Sequence, residues 1–510
     1  MESVSNKKRI AKNTIMLYFR QLLILCVNLY SVRVVLSCLG TVDYGIYNVV
    51  AGVVTAFNFL TIAMSPATQR FFSACIGENN FEALRKTFCI TFEIYILLLL
   101  VIVGIGETFG LWFVNNKLII PSERLQAANF LFHFVILSFS ANMLSAPFMA
   151  LIISHENMRI YASVSVIESV LKLIIVFLLL LVTFDKLILY GALLACISIF
   201  VSLSYIIYCK KMYKECVFQF SFDKKIFSDV ISFSGWCLFG TCAGIAKNQI
   251  TNVLLNMFFG PAVNAARGIA YNVNNAVISF SSNFNMAVRP QIIKTYSANE
   301  KNTTFDLVFQ STKLSWLLLW ICMLPLFLEM EFVLHLWLKD IPEMTVVFTR
   351  LILFEVLFDS ISYPLQSLSQ ASGKMKLYQS VVGGTLLLNL PFAYIALKVG
   401  YSAYTVQIIA IIIAFVALVL RIIVNSYLTG LSTILFLTKS ICPCILVSLA
   451  SCLFPIMVHN FISVAFLRLV VVILTSISTT AFFGYLFALN KAEKVKAKNI
   501  LLKITKGKIL

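Results

Sequence analysis

Met158-Arg-Ile-Tyr-Ala-Ser-Val164 returns 217 residues later as Met375-Lys-Leu-Tyr-Gln-Ser-Val381, and the same offset carries Ser145-Ala-Pro147 onto Ser362-Tyr-Pro364. Leu111-Trp112 with Ile120-Pro121 reappears as Leu336-Trp337 with Ile341-Pro342, and Gly40 corresponds to Gly260. Residues from about 14 to 208 therefore repeat as roughly 229 to 427. A likeness of that length is a duplicated structural unit, not a local motif.

Composition says what is duplicated. Of 510 residues, 60% are hydrophobic and 12% charged, and the mean hydropathy is +0.92. A soluble globule of this size must clothe itself in polar side chains, so the solvent that suits this chain is a lipid bilayer. Apolar windows lie near 14–38, 44–67, 88–113, 126–153, 160–183 and 187–208. A second set lies near 229–258, 261–288, 311–330, 345–372, 377–397 and 401–427, with two more near 432–457 and 461–488. Each has about the 20 residues that cross a membrane as a helix. The expected fold is an all-α polytopic membrane protein of about fourteen transmembrane helices, with two six-helix lobes in parallel repeat plus two C-terminal helices. Six is even, so both halves keep one orientation and are related by an axis along the membrane normal. The expected division is a first lobe over 1–208, a cytoplasmic linker over 209–228 and a second lobe over 229–427. Two additional helices over 428–490 and a basic cytoplasmic tail over 491–510 complete it. Pro147 and Pro364 fall inside equivalent helices, where each removes an amide donor and bends its helix, either as part of a rocking gate or as a tolerated kink.

The net charge of +18 is distributed as a topology signal, which argues against nucleic acid as the partner. With a cytoplasmic N-terminus, inner loops and tails hold about 25 Lys and Arg, while outer loops hold Lys117, Arg124, Lys186, Lys339, Arg350 and Lys398. Both termini are therefore expected inside, with short outer loops. Lys7, Lys8, Arg9 and Lys12 precede an apolar run too long for a signal-peptide core, which reads as an uncleaved first helix. The 13 cysteines lack metal-ligand spacing, Cys442-Pro-Cys444 reads as packing, and four unclustered histidines argue against a metal or triad enzyme.

Asn13-Thr-Ile-Met-Leu-Tyr-Phe-Arg20 and Ser31-Val-Arg-Val-Val-Leu-Ser-Cys-Leu-Gly-Thr-Val-Asp-Tyr-Gly-Ile-Tyr-Asn48 resemble the opening of Wzx-type polysaccharide flippases. Ser65-Pro-Ala-Thr-Gln-Arg-Phe-Phe72 and Ala371-Ser-Gly-Lys-Met-Lys-Leu-Tyr378 are similar to the same group. Arg33 stands a few residues further from Leu39-Gly40 than the tightest form of the family pattern. That family belongs to the MOP exporter superfamily, with the multidrug and toxin extruders and the lipid II flippases. The resemblance implies two lobes in a V around a central cavity and alternating access. The implied substrate is an undecaprenyl-pyrophosphate-linked oligosaccharide, moved outward across the bacterial inner membrane for surface polysaccharide such as O-antigen or capsule. The expectation is a transporter and not an enzyme, a monomer in the lipid bilayer without a cofactor, with proton or sodium coupling left open to the acids considered below. A polysaccharide polymerase and glycosyltransferases are the implied partners.

A diphosphate crossing hydrocarbon needs cations in its path, and sugars need neutral hydrogen-bonding groups. The intramembrane cations are Arg20, Arg33, Lys172, Lys247 and Arg267. A charge at mid-bilayer costs roughly 2.5–3.5 kcal/mol on insertion scales, so these side chains are expected to face water or protein. Arg33 can also snorkel to the surface, and Lys172 follows Glu168 by one turn and can pair with it. Lys247 is deep in its span and has no acid nearby in its own helix. Nine asparagines crowd 248–285, and Asn248, Asn252 and Asn256 share one helix face; with Asn275, and Asn28 near Arg20, they form a candidate sugar-compatible wall. Interhelical amide bonds account for part of this set equally well. Glu355 and Asp359 lie one turn apart and, with Glu168, are candidates for ion coupling, or for neutralising neighbouring cations. The rival on the same fold is a multidrug or cation antiporter, which favours acids where the first helix bears two arginines. A membrane glycosyltransferase or polymerase calls for a large outer loop, and a channel for a Gly-rich filter; neither is present in the sequence.

Overall fold

The computed structural model describes residues 2–490 and 493–494, except 56, 119, 183, 218, 220–222 and 339; the side chains of 2–12, 28, 29, 32, 33, 36, 41 and 55 fall outside it. The described residues form helices joined by short turns and loops, with no strand among them. It opens with α1 (Glu2–Thr55), broken at Gly40, and α2 (Asn58–Gly77). Then follow α3 (Phe81–Asn116), α4 (Ser122–Ser154), α5 (Met158–Leu181), α6 (Lys186–Met212) and α7 (Lys224–Phe259). Next come α8 (Pro261–Ser297), α9 (Lys301–Leu328), the short α10 (Met330–Trp337), α11 (Thr345–Ser372) and α12 (Met375–Val399). The last are α13 (Thr405–Thr429), α14 (Thr433–Phe461) and α15 (Ala465–Ala488).

Ten of these are long and apolar enough to cross a membrane, and eleven if the bent pair Val42–Val54 and Asn58–Gly77 is one span. At 1.5 Å per residue, α8 and α11 also exceed the roughly 30 Å of a hydrocarbon core. They are too polar to be counted on apolarity, for reasons the cavity below makes plain.

The repeated sequence has a repeated backbone. Met158 and Met375 each open a helix, and two residues earlier Glu156 (φ 62°) and Gly373 (φ 75°) both take the left-handed conformation that turns the chain. Gly40 (φ 76°) and Gly260 (φ 81°) stand at matching helix breaks, and Asn79 (φ 54°) and Asn299 (φ 59°) at matching turns. At Gly40, ψ is 172°, a region that only glycine occupies without strain. Pro147 and Pro364 both lie inside their helices.

Two compact units result. The first comprises 1–242 with 293–300. Its core stacks Phe72, Phe88 and Phe148, all fully buried, where α2, α3 and α4 meet. A second cluster centres on Tyr95, Leu131 and Phe132. Its helix ends are pinned by polar groups. Asp185 caps α6 by accepting from the Leu187 and Ile188 amides at 3.0 and 3.3 Å. Arg124 at the start of α4 bridges that same Asp185 (2.6 Å) and Asp43.

The second unit comprises 243–292 with 301–510. In it α11 packs against α9 and α13, and Leu255, Phe348, Ile352 and Val406 form a buried cluster. The pair α14 and α15 attaches to α9 through polar clasps. Trp316 and Trp320 donate to Ser448 and Ser451 at 2.8 and 2.9 Å, and the Lys313 ammonium donates to the Ala488 carbonyl at 2.7 Å. The fully buried Glu329 carboxylate contacts the His459 ring at 2.7 Å and accepts from Arg468 at 2.8 Å. In a hydrocarbon surrounding such groups have no water to fall back on, so each must find a partner in the protein.

Candidate functional site

A cavity of about 320 Å³ lies within the second unit. Its wall explains why α8 and α11 are polar. Lys247 and Asn248 reach it from α7, Tyr271, Asn274 and Asn275 from α8, Glu355 and Asp359 from α11, and Arg421 from α13. A helix that faces a watery interior exchanges its apolar stripe for groups that can hydrogen-bond. Glu355 and Asp359 fall on one face because they are one turn apart.

The charges are arranged in pairs. Lys247 donates to one oxygen of Glu355, and the Gln407 amide donates to the other. Both side chains of that ion pair are about nine-tenths buried. The expectation that Lys247 stands without an acid is thereby corrected, since α11 supplies one 108 residues away. Arg267 is likewise engaged. It donates to the Asn252 side chain, to the Tyr271 hydroxyl at 3.0 Å and to the Asn248 carbonyl at 3.4 Å, with its guanidinium 4.4 Å from the Tyr271 ring centroid. Tyr271 in turn donates to the Asn248 side chain at 2.7 Å. Asp359 faces the cavity and makes no hydrogen bond among the described residues, and the buried Asn274 amide oxygen has no partner.

The expected asparagine face divides. Asn248 and Asn275 line the cavity, Asn252 is taken up by Arg267, and Asn256 is exposed at the end of α7. Four residues advance a helix by about 6 Å, so a stripe of three steps beyond a cavity of this size.

The candidate residues of the first unit form a separate set. Arg20 is buried on α1 with its guanidinium 4.7 Å from the ring centroid of Tyr161 on α5. Lys172 and Glu168 form the i, i+4 ion pair at 2.6 Å, with about four-tenths of Lys172 and a third of Glu168 exposed. Lys172 is thus a second cation that has an acid. The side chains of Arg33 and Asn28 lie outside the described residues. Arg421, Gln407 and Tyr271 belong to the cavity or its supports and were not singled out by sequence, whereas Asn274 was one of the nine asparagines of 248–285. Arg421 had a signal, as an arginine inside the apolar run 401–427, but its place six residues from the end of that run reads as a topology charge.

Comparisons with known proteins bear on this architecture. A family model, MatE, matches residues 237–395, from within α7 to within α12. No curated protein matches the sequence. Among solved structures, a multidrug resistance MATE family transporter of the MOP superfamily in an outward-facing conformation superposes with a TM-score of 0.72 at 14% identity, covering 83% of this chain and 96% of that one. A Vibrio cholerae MATE transporter gives 0.65 at 16% identity, covering 83% and 97%. The MATE transporter ClbM, in complex with Rb+, gives 0.64 at 14% identity, covering 82% and 94%. The chain therefore has the MATE transporter fold over most of its length, and the MatE family model matches its middle part, residues 237–395.

Proposed function

We propose that this protein is a flippase that exposes lipid-linked oligosaccharide on the outer leaflet of a bacterial inner membrane by alternating access. The supporting observation is the cavity of the second unit, where amides and a phenol, from Asn248, Asn274, Asn275 and Tyr271, accompany two cations, Lys247 and Arg421. Amides suit sugar hydroxyls, and cations suit a diphosphate that hydrocarbon would otherwise exclude. The cavity is at the small end of ligand sites, so it fits a head group or one sugar, with the polyprenyl tail left in lipid. In this reading Arg20, Arg33, Lys172, Lys247 and Arg267 serve the substrate electrostatically. Glu355, Asp359 and Glu168 exchange a proton or sodium ion, and a polymerase and glycosyltransferases act on either side of the step.

A second reading, a multidrug or cation extruder, is favoured by one observation. The Asp359 carboxylate lines the cavity without a hydrogen bond among the described residues, which suits a cationic ligand. The MatE match fits this reading equally well. One experiment separates the two, pairing surface-glycan staining with a drug-susceptibility panel in a deletion strain. The flippase reading expects missing surface glycan, undecaprenyl-linked repeat units retained on the inner leaflet and an unchanged drug profile. Normal glycan with heightened drug sensitivity would move the protein to the extruders.

A further inference from the structure

The cations at the second unit's cavity differ in what already holds them. Lys247 is closed on Glu355, whose second oxygen is taken by Gln407. Arg267 donates from both Nη groups, to Asn252, Tyr271 and the Asn248 carbonyl, and leaves its Nε alone without an acceptor among the described residues. Arg421, one turn before the Asn425 that accepts from Ser369, is different. It makes a single side-chain hydrogen bond among the described residues, from Nη1 to the Ser362 hydroxyl at 2.7 Å, and its Nε–H is buried without an acceptor. Asp359 lines the same cavity but forms no ion pair with it within 4 Å.

A guanidinium has five N–H donors in a rigid fork, matched to two oxygens of one phosphate. A buried donor left without an acceptor is costly, and a ligand oxygen removes that cost. Arg421 has both Nε and Nη2 without an acceptor among the described residues, whereas Arg267 has only Nε so. Lys247, by contrast, has its charge offset by the Glu355 carboxylate beside it, which repels an incoming anion.

We infer that Arg421 is the side chain that grips the phosphate of the transported head group, with Lys247 acting as the counter-charge that fixes Glu355. This rests on the flippase reading and assigns the phosphate contact within it. The same chemistry would capture inorganic pyrophosphate, so the lipid-linked and free forms are tested separately.

The test is binding to the purified full-length protein in nanodiscs, with farnesyl diphosphate, inorganic pyrophosphate and phosphate-free farnesol as probes. Wild-type protein is expected to bind farnesyl diphosphate and not farnesol. Arg421→Ala and Arg421→Gln are expected to weaken that binding roughly 10- to 100-fold, the worth of a charge-assisted bond. Arg421→Lys recovers part of the loss, and Lys398→Gln, an exposed charge at the end of α12, leaves it intact. Gln and Lys at position 421 keep a donor for Ser362, so they carry the test if the alanine variant fails to fold. Pyrophosphate bound with the same Arg421 dependence means the phosphates alone are recognised. Pyrophosphate ignored while farnesyl diphosphate binds means the tail is needed as well, and the assignment holds. Wild-type affinity in the folded Arg421 variants overturns the assignment and leaves the flippase reading standing. Absence of farnesyl diphosphate binding in wild-type protein overturns both.

Discussion

Lys247 and Glu355 illustrate what one buried pair does in a membrane protein. Each charge is tolerable because the other is there, and removing one leaves its partner stranded. Breaking such a pair costs about 3–5 kcal/mol, while replacing both members by apolar groups is often close to neutral. Lys247→Ala is therefore expected to lower thermal stability sharply in detergent, and Lys247→Met combined with Glu355→Leu to recover most of it. Equal losses in the single and double variants would show that the pair is not the source of stability. The individual residues of this pair were legible in sequence as intramembrane charges, but their partnership was not. Hydropathy ranks a residue by its neighbours in the chain, and these two are brought together by the packing of α7 and α11. Arg421 was hidden for a different reason, because an arginine near the end of an apolar run has the same local context whether it points to a head group or into a cavity.

At the scale of helices the sequence was far more informative. The repeated Met158 and Met375 segments open helices in both halves, and the Gly40 and Gly260 correspondence marks two matching breaks. The signal survived because a left-handed turn narrows the choice of residue, whereas an apolar span admits many. Gly40 and Gly45, five residues apart on α1, give a test of that account. Neither has a neighbour that an added methyl would meet, but only Gly40 has a positive φ. Gly40→Ala is expected to destabilise by about 1–3 kcal/mol through backbone strain alone. Gly45→Ala should instead stabilise by roughly 0.4–1 kcal/mol by stiffening the unfolded chain. Urea or thermal denaturation of the two variants side by side decides it, and a loss of equal size in both would rule out strain. The helices α8 and α11 were read as spans from the apolar windows near 261–288 and 345–372. The asparagines that make α8 hard to count as apolar are partly the cavity wall.

Over the whole molecule, we propose that α8, α11 and the Asn13–Val27 part of α1 join the eleven apolar spans to give fourteen crossings, with both termini cytoplasmic. Reporter fusions after Lys117 and Lys339 should give an outer signal, and fusions after Lys224 and Leu510 an inner one. An outer signal at Leu510 would remove the even count on which the parallel repeat depends. The clasps between α9 and the last two helices add a consequence in time. A ribosome finishes α9 more than 100 residues before it reaches Ser448, Arg468 and Ala488. Throughout that interval Lys313, Trp316, Trp320 and Glu329 wait in or beside the insertion machinery without their final partners. The second unit thus matures only once α15 has been made, and its newborn helices need a sheltered, wet holding place until then.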